Sequence, residues 1–290
     1  MRIKHTILTL AILVVLLAAG WLIFWKSGTQ DNEAVFKEPA VEDAVRAILA
    51  LGPDERIKLS ELKRIDKLDL SGKSLSRTDD LDMLNSLKIL NLSDNRISSL
   101  DGLKHLTQLQ ELYAGNNLIR DLTPLGGLEG LTKLTIDRNR VTDLGPLRGL
   151  GHLAALSSSD NQIEDMEPVS GLHSLNTLIL DKNKIRNIPP LSGLTSLKIL
   201  GIGYNPLEDW THVEDVKQLE WLSASSSGIT SVEPLKALTS LSVLMLDHNE
   251  IRDISPLHHV AALKSLYLEG NPVEDFSPVD DAILKKVGDD

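Results

Sequence analysis

The chain has no cysteine among its 290 residues. Disulfide frameworks, thiolate metal sites and cysteine nucleophiles are thereby excluded, while the compartment stays open, because proteins outside the cytoplasm also manage without disulfides. Aromatic residues are nearly as scarce, 3% of the chain against 42% hydrophobic, so any core is mostly aliphatic. Positive charge is short as well. The formal net charge is −11, and residues 1–30 hold Arg2, Lys4 and Lys26 with no acidic residue, which leaves −14 on the remainder. Such a surface repels phosphate backbones, and nucleic acid is not an expected partner. Catalytic signatures are missing too: there is no phosphate loop, no nucleophile elbow and no His-Glu-x-x-His segment. The eight histidines are scattered, and His258-His259 reads as solvated surface rather than a chelate. No enzyme activity, cofactor, metal or small-molecule substrate is expected.

What is present begins with an uncharged run of 19 residues, Ile7 to Trp25. As a helix it spans roughly 28 Å, close to the ~30 Å hydrocarbon core of a bilayer. Trp21 and Trp25 stand at one end, where interfacial aromatics are favoured, and Arg2 and Lys4 precede the run. The sequence therefore predicts a transmembrane signal-anchor over 7–25, with residues 1–6 cytoplasmic and the rest extracytoplasmic, in the periplasm or at the cell surface. A cleaved signal peptide, cut near Ala18-Ala19-Gly20 to give a secreted chain, is the rival reading. A short polar linker is expected over 26–35. An N-terminal helical cap follows over 36–64, with Val41, Ala44, Val45, Ile48 and Leu49 on one helical face, Pro39 in its first turn and Gly52-Pro53 as its stop.

From residue 65 to 275 the chain repeats itself. The pattern Leu-x-x-Leu-x-Leu-x-x-Asn-x-Ile, as in Leu87 to Ile97, opens at Ile65, Leu87, Leu109, Leu131, Leu153, Leu175, Leu197, Leu219, Leu241 and Leu263, nine intervals of 22 residues with no insertion. The fourth and sixth residues alternate with polar ones, the period of a short strand with one buried face. One such strand cannot bury that face alone, but copies stacked about 4.8 Å apart form a parallel sheet over a continuous core. The ninth position is Asn95, Asn117, Asn139, Asn161, Asn183, Asn205, Asn249 and Asn271, with Lys73 and Ser227 as exceptions. A buried amide there can satisfy backbone groups of its own and the adjacent repeat, so this ladder is structural. Ser158 and Ala224 replace core leucines and predict local underpacking.

The return path is equally regular. Ile119, Leu122, Leu125 and Leu128 fall at intervals of three, which suits 3₁₀ turns, and Pro124, Pro146, Pro168, Pro190, Pro234, Pro256 and Pro278 share one register. Asp121, Asp143, Asp165, Asp253 and Asp275 precede these prolines by three and are read as turn caps. One carboxylate per turn is too few for a calcium site.

The segment Leu122-Thr123-Pro124-Leu125-Gly126-Gly127-Leu128 followed by Leu131-Thr132-Lys133-Leu134 resembles the 22-residue leucine-rich repeats of bacterial internalins and of the protein-phosphatase-1 regulatory subunit. The likeness covers about residues 65–275, and the cap from Phe36 to Leu62 is similar to that of the bacterial arrays. It implies an α/β solenoid: ten 22-residue repeats in a right-handed superhelix, with a parallel concave sheet that recognises protein. No wall-sorting signal or immunoglobulin-like domain is recognisable after the array. A C-terminal cap is expected over 276–290, with Val279, Ile283, Leu284 and Val287 forming one closing helix.

The expected function is that of a non-catalytic protein-interaction scaffold. A structural or self-associating envelope protein is the first alternative and a cytoplasmic phosphatase-regulator-like binder the second. Third and fifth positions point out of the core. In repeats seven to nine the third reads Ile199, Trp221, Val243; the fifth adds Met245 and Tyr267, with Ile179 and Tyr204 close by and Asp181, Asp247 and Glu269 as a polar rim. These residues form the candidate partner-binding patch.

Overall fold

The computed structural model describes residues 32–285. The expected anchor, the residues before it and the tail with Val287 lie outside them. Ten three-residue strands recur at 22-residue intervals: β1 (Lys67–Asp69), β2 (Ile89–Asn91), β3 (Glu111–Tyr113), β4 (Lys133–Thr135), β5 (Ala155–Ser157), β6 (Thr177–Ile179), β7 (Ile199–Gly201), β8 (Trp221–Ser223), β9 (Val243–Met245) and β10 (Ser265–Tyr267). With β11 (Leu284–Lys285) they make one sheet in sequence order, and every pairing is parallel. The register joins equivalent positions: Leu68, Leu90, Leu112 and Leu134 stand side by side, each almost fully buried. This is an α/β leucine-rich-repeat solenoid.

The ladder explains why the strands can be so short. The Asn95 side chain donates to Leu70 O at 2.8 Å in the preceding repeat and to its own Leu92 O at 2.9 Å. Its Oδ1 accepts the Leu75 amide at 2.9 Å. Asn117, Asn139, Asn161, Asn183, Asn205, Asn249 and Asn271 repeat the three bonds one rung at a time. Ser227 keeps only part of this: its hydroxyl donates to Ser225 O at 3.1 Å and to Ile202 O of the preceding repeat at 3.4 Å. The Leu207 amide, which an Asn at 227 would accept, turns to the backbone oxygens of Asn205 and Ser227. Ser158, fully buried, takes a bond from Asn161 Nδ2 at 3.1 Å, so the lost leucine is replaced by a polar contact.

On the return side, 3₁₀ turns stand at Asp101–Leu103, Thr123–Leu125, Gly145–Leu147, Glu167–Val169, Thr211–Asp215, Glu233–Ala237 and Ser255–His259. The predicted aspartates cap them: Asp121, Asp143, Asp165 and Asp253 accept the amides of Thr123, Gly145, Glu167 and Ser255 at 2.7–2.8 Å. Glycine is obligatory at one crossing. A Cβ on Gly102 would lie 1.8 Å from the Thr78 carbonyl oxygen of the preceding turn.

The N-terminal end is covered by helix α1 (Pro39–Leu49) and a single turn, α2 (Leu59–Leu62). Val41, Val45 and Leu49 of α1 are buried, while Ile48, expected on the same face, is exposed. The buried Asp80 carboxylate accepts the amides of Lys37 and Glu38, both at 2.7 Å, and so fastens the start of α1 to the first repeat. The linker expected to reach Val35 ends sooner. Glu33 bridges Lys58 antiparallel, and the buried Ala34 donates its amide to Ile57 O at 2.8 Å. The far end also departs from expectation. A 3₁₀ turn at Asp281–Ile283 leads into β11, so a strand rather than a helix closes the array. Pairing with β10 satisfies an edge that a helix would leave open.

Candidate binding face

In each repeat the middle residue of the strand is buried and its two neighbours face out of the sheet. The third-position row therefore runs Thr177, Ile199, Trp221, Val243 across four hydrogen-bonded strands. The fifth-position row runs Ile179, Gly201, Ser223, Met245. Ile179, Ile199, Trp221, Val243 and Met245 are all half-buried. Each keeps part of its side chain in water, and Ile199, Trp221 and Val243 stand in register on three adjacent strands. Among the described residues the Trp221 indole donates no hydrogen bond.

Two members of the predicted set sit differently. Tyr204 stands one turn beyond its strand and is 54% exposed, with the Lys182 ammonium 5.5 Å from its ring centroid. Tyr267 is only 5% exposed, next to β11, and belongs to the buried end of the array rather than to the exposed strip. The expected rim divides as well. Glu269 is exposed, Asp181 is half-buried and Asp247 is buried. The last two each bond across one strand: Asp181 accepts the Gly203 amide at 2.6 Å and Asp247 the Glu269 amide at 2.9 Å. Asp137 does the same for Ser159 at 2.7 Å.

Sequence reasoning missed the seventh position as a place where aspartates tie one rung to the next. It also missed the eighth. Asp94, Asn116, Arg138, Asp160, Lys182, Tyr204, Ser226 and His248 all have left-handed backbones, with φ between 53° and 60°. No β-branched residue occurs there, and that exclusion was the signal available in the sequence. The row lines one margin of the sheet. Asp94, Asn116, Asp137, Arg138, Asp160 and Lys182 border a cleft of about 440 Å³ along it, with charges of both signs. Among the described residues no group of three or more His, Cys, Asp or Glu side chains is placed to hold a metal ion.

The charge-bearing half of the outer face lies over β3 to β5. Tyr113 donates its hydroxyl to Glu111 at 2.6 Å, and the Lys133 ammonium sits 5.1 Å from the Tyr113 ring centroid. Ser157 donates to Asp137 at 2.7 Å.

The family model for leucine-rich repeats in two copies matches residues 85–127, 107–149 and 173–215. No curated protein sequence matches the chain. Among solved structures, an internalin (InlF) from Listeria monocytogenes is 29% identical with a TM-score of 0.83, covering 87% of this chain and 75% of its own. Internalin C2 from the same organism is 27% identical with a TM-score of 0.56, covering 87% and 94%. A plant peptide hormone receptor, RGFR1 in complex with RGF2, shares the fold at 20% identity and a TM-score of 0.63, over 72% of this chain and 36% of that one. Leucine-rich-repeat solenoids act as scaffolds for protein–protein interaction, presenting side chains at fixed spacing on an extended face. In its repeat pattern and its sheet the chain shares the leucine-rich-repeat fold and is similar to the bacterial internalins.

Proposed function

We propose that this protein is a non-catalytic, membrane-anchored scaffold that docks a partner protein on the outward face of β6 to β9. One observation carries the docking site: Ile199, Trp221 and Val243 stand in register on adjacent strands, half in water. A partly exposed tryptophan among aliphatics is the usual centre of an interaction hot spot. Its free indole N–H gives a partner a directional contact besides apolar area. The complex of the plant receptor with RGF2 is an example of the same fold holding a polypeptide partner.

The anchor rests on residues 7–25 and the basic residues before them, with the repeats outside the cytoplasm. Among the described residues no helix is long and apolar enough to cross a membrane. Crosslinked capture with the full chain in its native cell identifies the partner. Affinity for the captured protein should then fall by at least ~2 kcal/mol in Trp221→Ala. Full affinity in that variant moves the site elsewhere. Protease added to spheroplasts should destroy the repeats while the membrane stays intact; protection until lysis reverses the topology.

A further inference from the structure

The docking strip has a notch in its middle. In the fifth-position row Gly201 and Ser223 stand between Ile179 and Met245. In the seventh-position row Gly203 and Ser225 stand between Asp181 and Asp247, placed there by the bonds Lys182 N–H to Gly203 O, Tyr204 N–H to Ser225 O and Ser226 N–H to Asp247 O. Two glycines and two serines thus floor a depression two strands wide, and Trp221 stands at its edge. The glycines are there to make room for Asp181. A Cβ on Gly201 would lie 2.6 Å from Asp181 Oδ2, and one on Gly203 would lie 3.0 Å from Oδ1. The carboxylate therefore lies flat along the notch rather than pointing away to solvent.

The fold does not neutralise this charge. Asp181 forms no ion pair among the described residues, and the side-chain bond it holds is to the Gly203 amide at 2.6 Å. The adjacent Lys182 sends its ammonium to the Tyr204 ring instead. Burial pushes the Asp181 carboxyl above its ordinary 3.8, and Asp137 adds to that, against the Gly203 amide and Lys182, which pull it down. Asp247 on the opposite wall is 3% exposed and leaves nothing for a partner to reach. The notch has one ionic wall, one aromatic edge and a floor of glycine and serine.

We infer that the notch receives a lysine or arginine side chain from an extended segment of the partner protein, paired with Asp181, while a bulky apolar residue two positions along packs on Trp221. The inference rests on the docking role proposed for this face. Residues two apart in an extended chain share a side and stand about 6.8 Å apart, which matches the two-residue offset between Gly201, over which the Asp181 carboxylate lies, and the level of Trp221 on the neighbouring strand. A half-desolvated carboxylate without a counter-ion gains more from a cation than an exposed one does. The acidic balance of the chain, −11 overall, favours a basic partner segment in the same sense.

The test is selection of phage-displayed random linear peptides on the full-length protein in detergent, followed by affinity measurement on variants. Enriched peptides should carry Lys or Arg two residues from a large apolar side chain. Asp181→Asn keeps an oxygen for the Gly203 amide and removes only the charge, so its melting temperature should hold while affinity for those peptides falls about tenfold. Trp221→Ala should lose them altogether. Peptides that need Trp221 but lack a basic residue, or that bind Asp181→Asn unchanged, overturn the cation pocket and leave the docking face standing. Peptides that bind Trp221→Ala as well as the wild type overturn the docking face, and the pocket with it.

Discussion

The outer face over β3 to β5 and the outer face over β6 to β9 sit on cores that repeat at the same intervals and share the central leucine of each strand, yet the two faces present different chemistry. The buried sixth position also differs, reading Ala114, Ile136, Ser158 in the first and Leu180, Ile202, Ala224, Leu246 in the second. Over β3 to β5 the outward residues answer one another. Tyr113 is held by Glu111 and Lys133, and Ser157 by Asp137. Over β6 to β9 five of the eight outward residues are apolar side chains, Ile179, Ile199, Trp221, Val243 and Met245, beside Thr177, Gly201 and Ser223, and the indole bonds to no described residue. The first region is polar and self-satisfied; the second leaves apolar surface without cover. The core constrains the third and fifth positions less than the buried fourth, and the contrast between the two regions is largest there.

The strongest way to break this comparison is to ask whether the cores are in fact alike. Leu134→Ala and Leu222→Ala, each fully buried at the centre of its strand, should both cost about 2–5 kcal/mol in denaturant melts. A much smaller loss for Leu222 would show that the apolar half is also the softer half. Next comes the face itself. Trp221→Ala should weaken partner affinity by at least ~2 kcal/mol with little change in stability, while Lys133→Ala should alter either by no more than ~0.5 kcal/mol. Equal effects would erase the distinction between the two regions.

The ladder offers a finer contrast. Asn139→Ala strands the Ile119 amide and takes one of two asparagine bonds from each of the Ala114 and Ile136 carbonyls, and should cost roughly 1–3 kcal/mol. In the other half Ser227→Asn restores the missing rung and should add about 1 kcal/mol. Destabilisation by Ser227→Asn would mean that the backbone there has rearranged around serine.

The smallest effect is in pH. Amide bonds from Ser255 and Ser277 hold Asp253 and Asp275 below the ordinary 3.8, and the hydroxyl and amide of Thr123 do so for Asp121. Their contribution is present above the unfolded value and is lost as pH falls through the lowered folded one. Asp181 has the opposite sign: its raised folded value costs stability at neutral pH, and the cost disappears as pH drops through that value towards 3.8. Thermal melts from neutral to acid pH should therefore show Asp181→Asn matching or exceeding the wild type at pH 7, the gap closing before the capping aspartates titrate. A variant less stable than the wild type at pH 7 would mean that the charge itself holds the strand edge.

Much of this was readable in the residues, for a physical reason. The intervals of 22 place identical side chains on identical rungs, so the leucines in the row of Leu68 announce their role ten times, the ladder asparagines eight and the capping aspartates five. Features that occur once were not readable. β11 is a lone pair of residues whose strand geometry comes from β10 beside it, and an apolar pattern such as Val279, Ile283 and Leu284 suits a helix equally well. Tyr267 lies in outward register but is covered at the array's end. The bond from Asp181 to Gly203 joins residues 22 apart, and nothing in the pattern of either strand alone reveals it.

The ladder has a direction. The side chain of each ladder asparagine bonds to its own turn and to the repeat before it, not to the one after. A repeat is thus complete only when its successor arrives, and a chain emerging amino terminus first can be locked behind itself one rung at a time, starting from the lid that Asp80 fastens down. Such a ladder lets the array be wound in the order of synthesis, with only the newest coil left open at any moment.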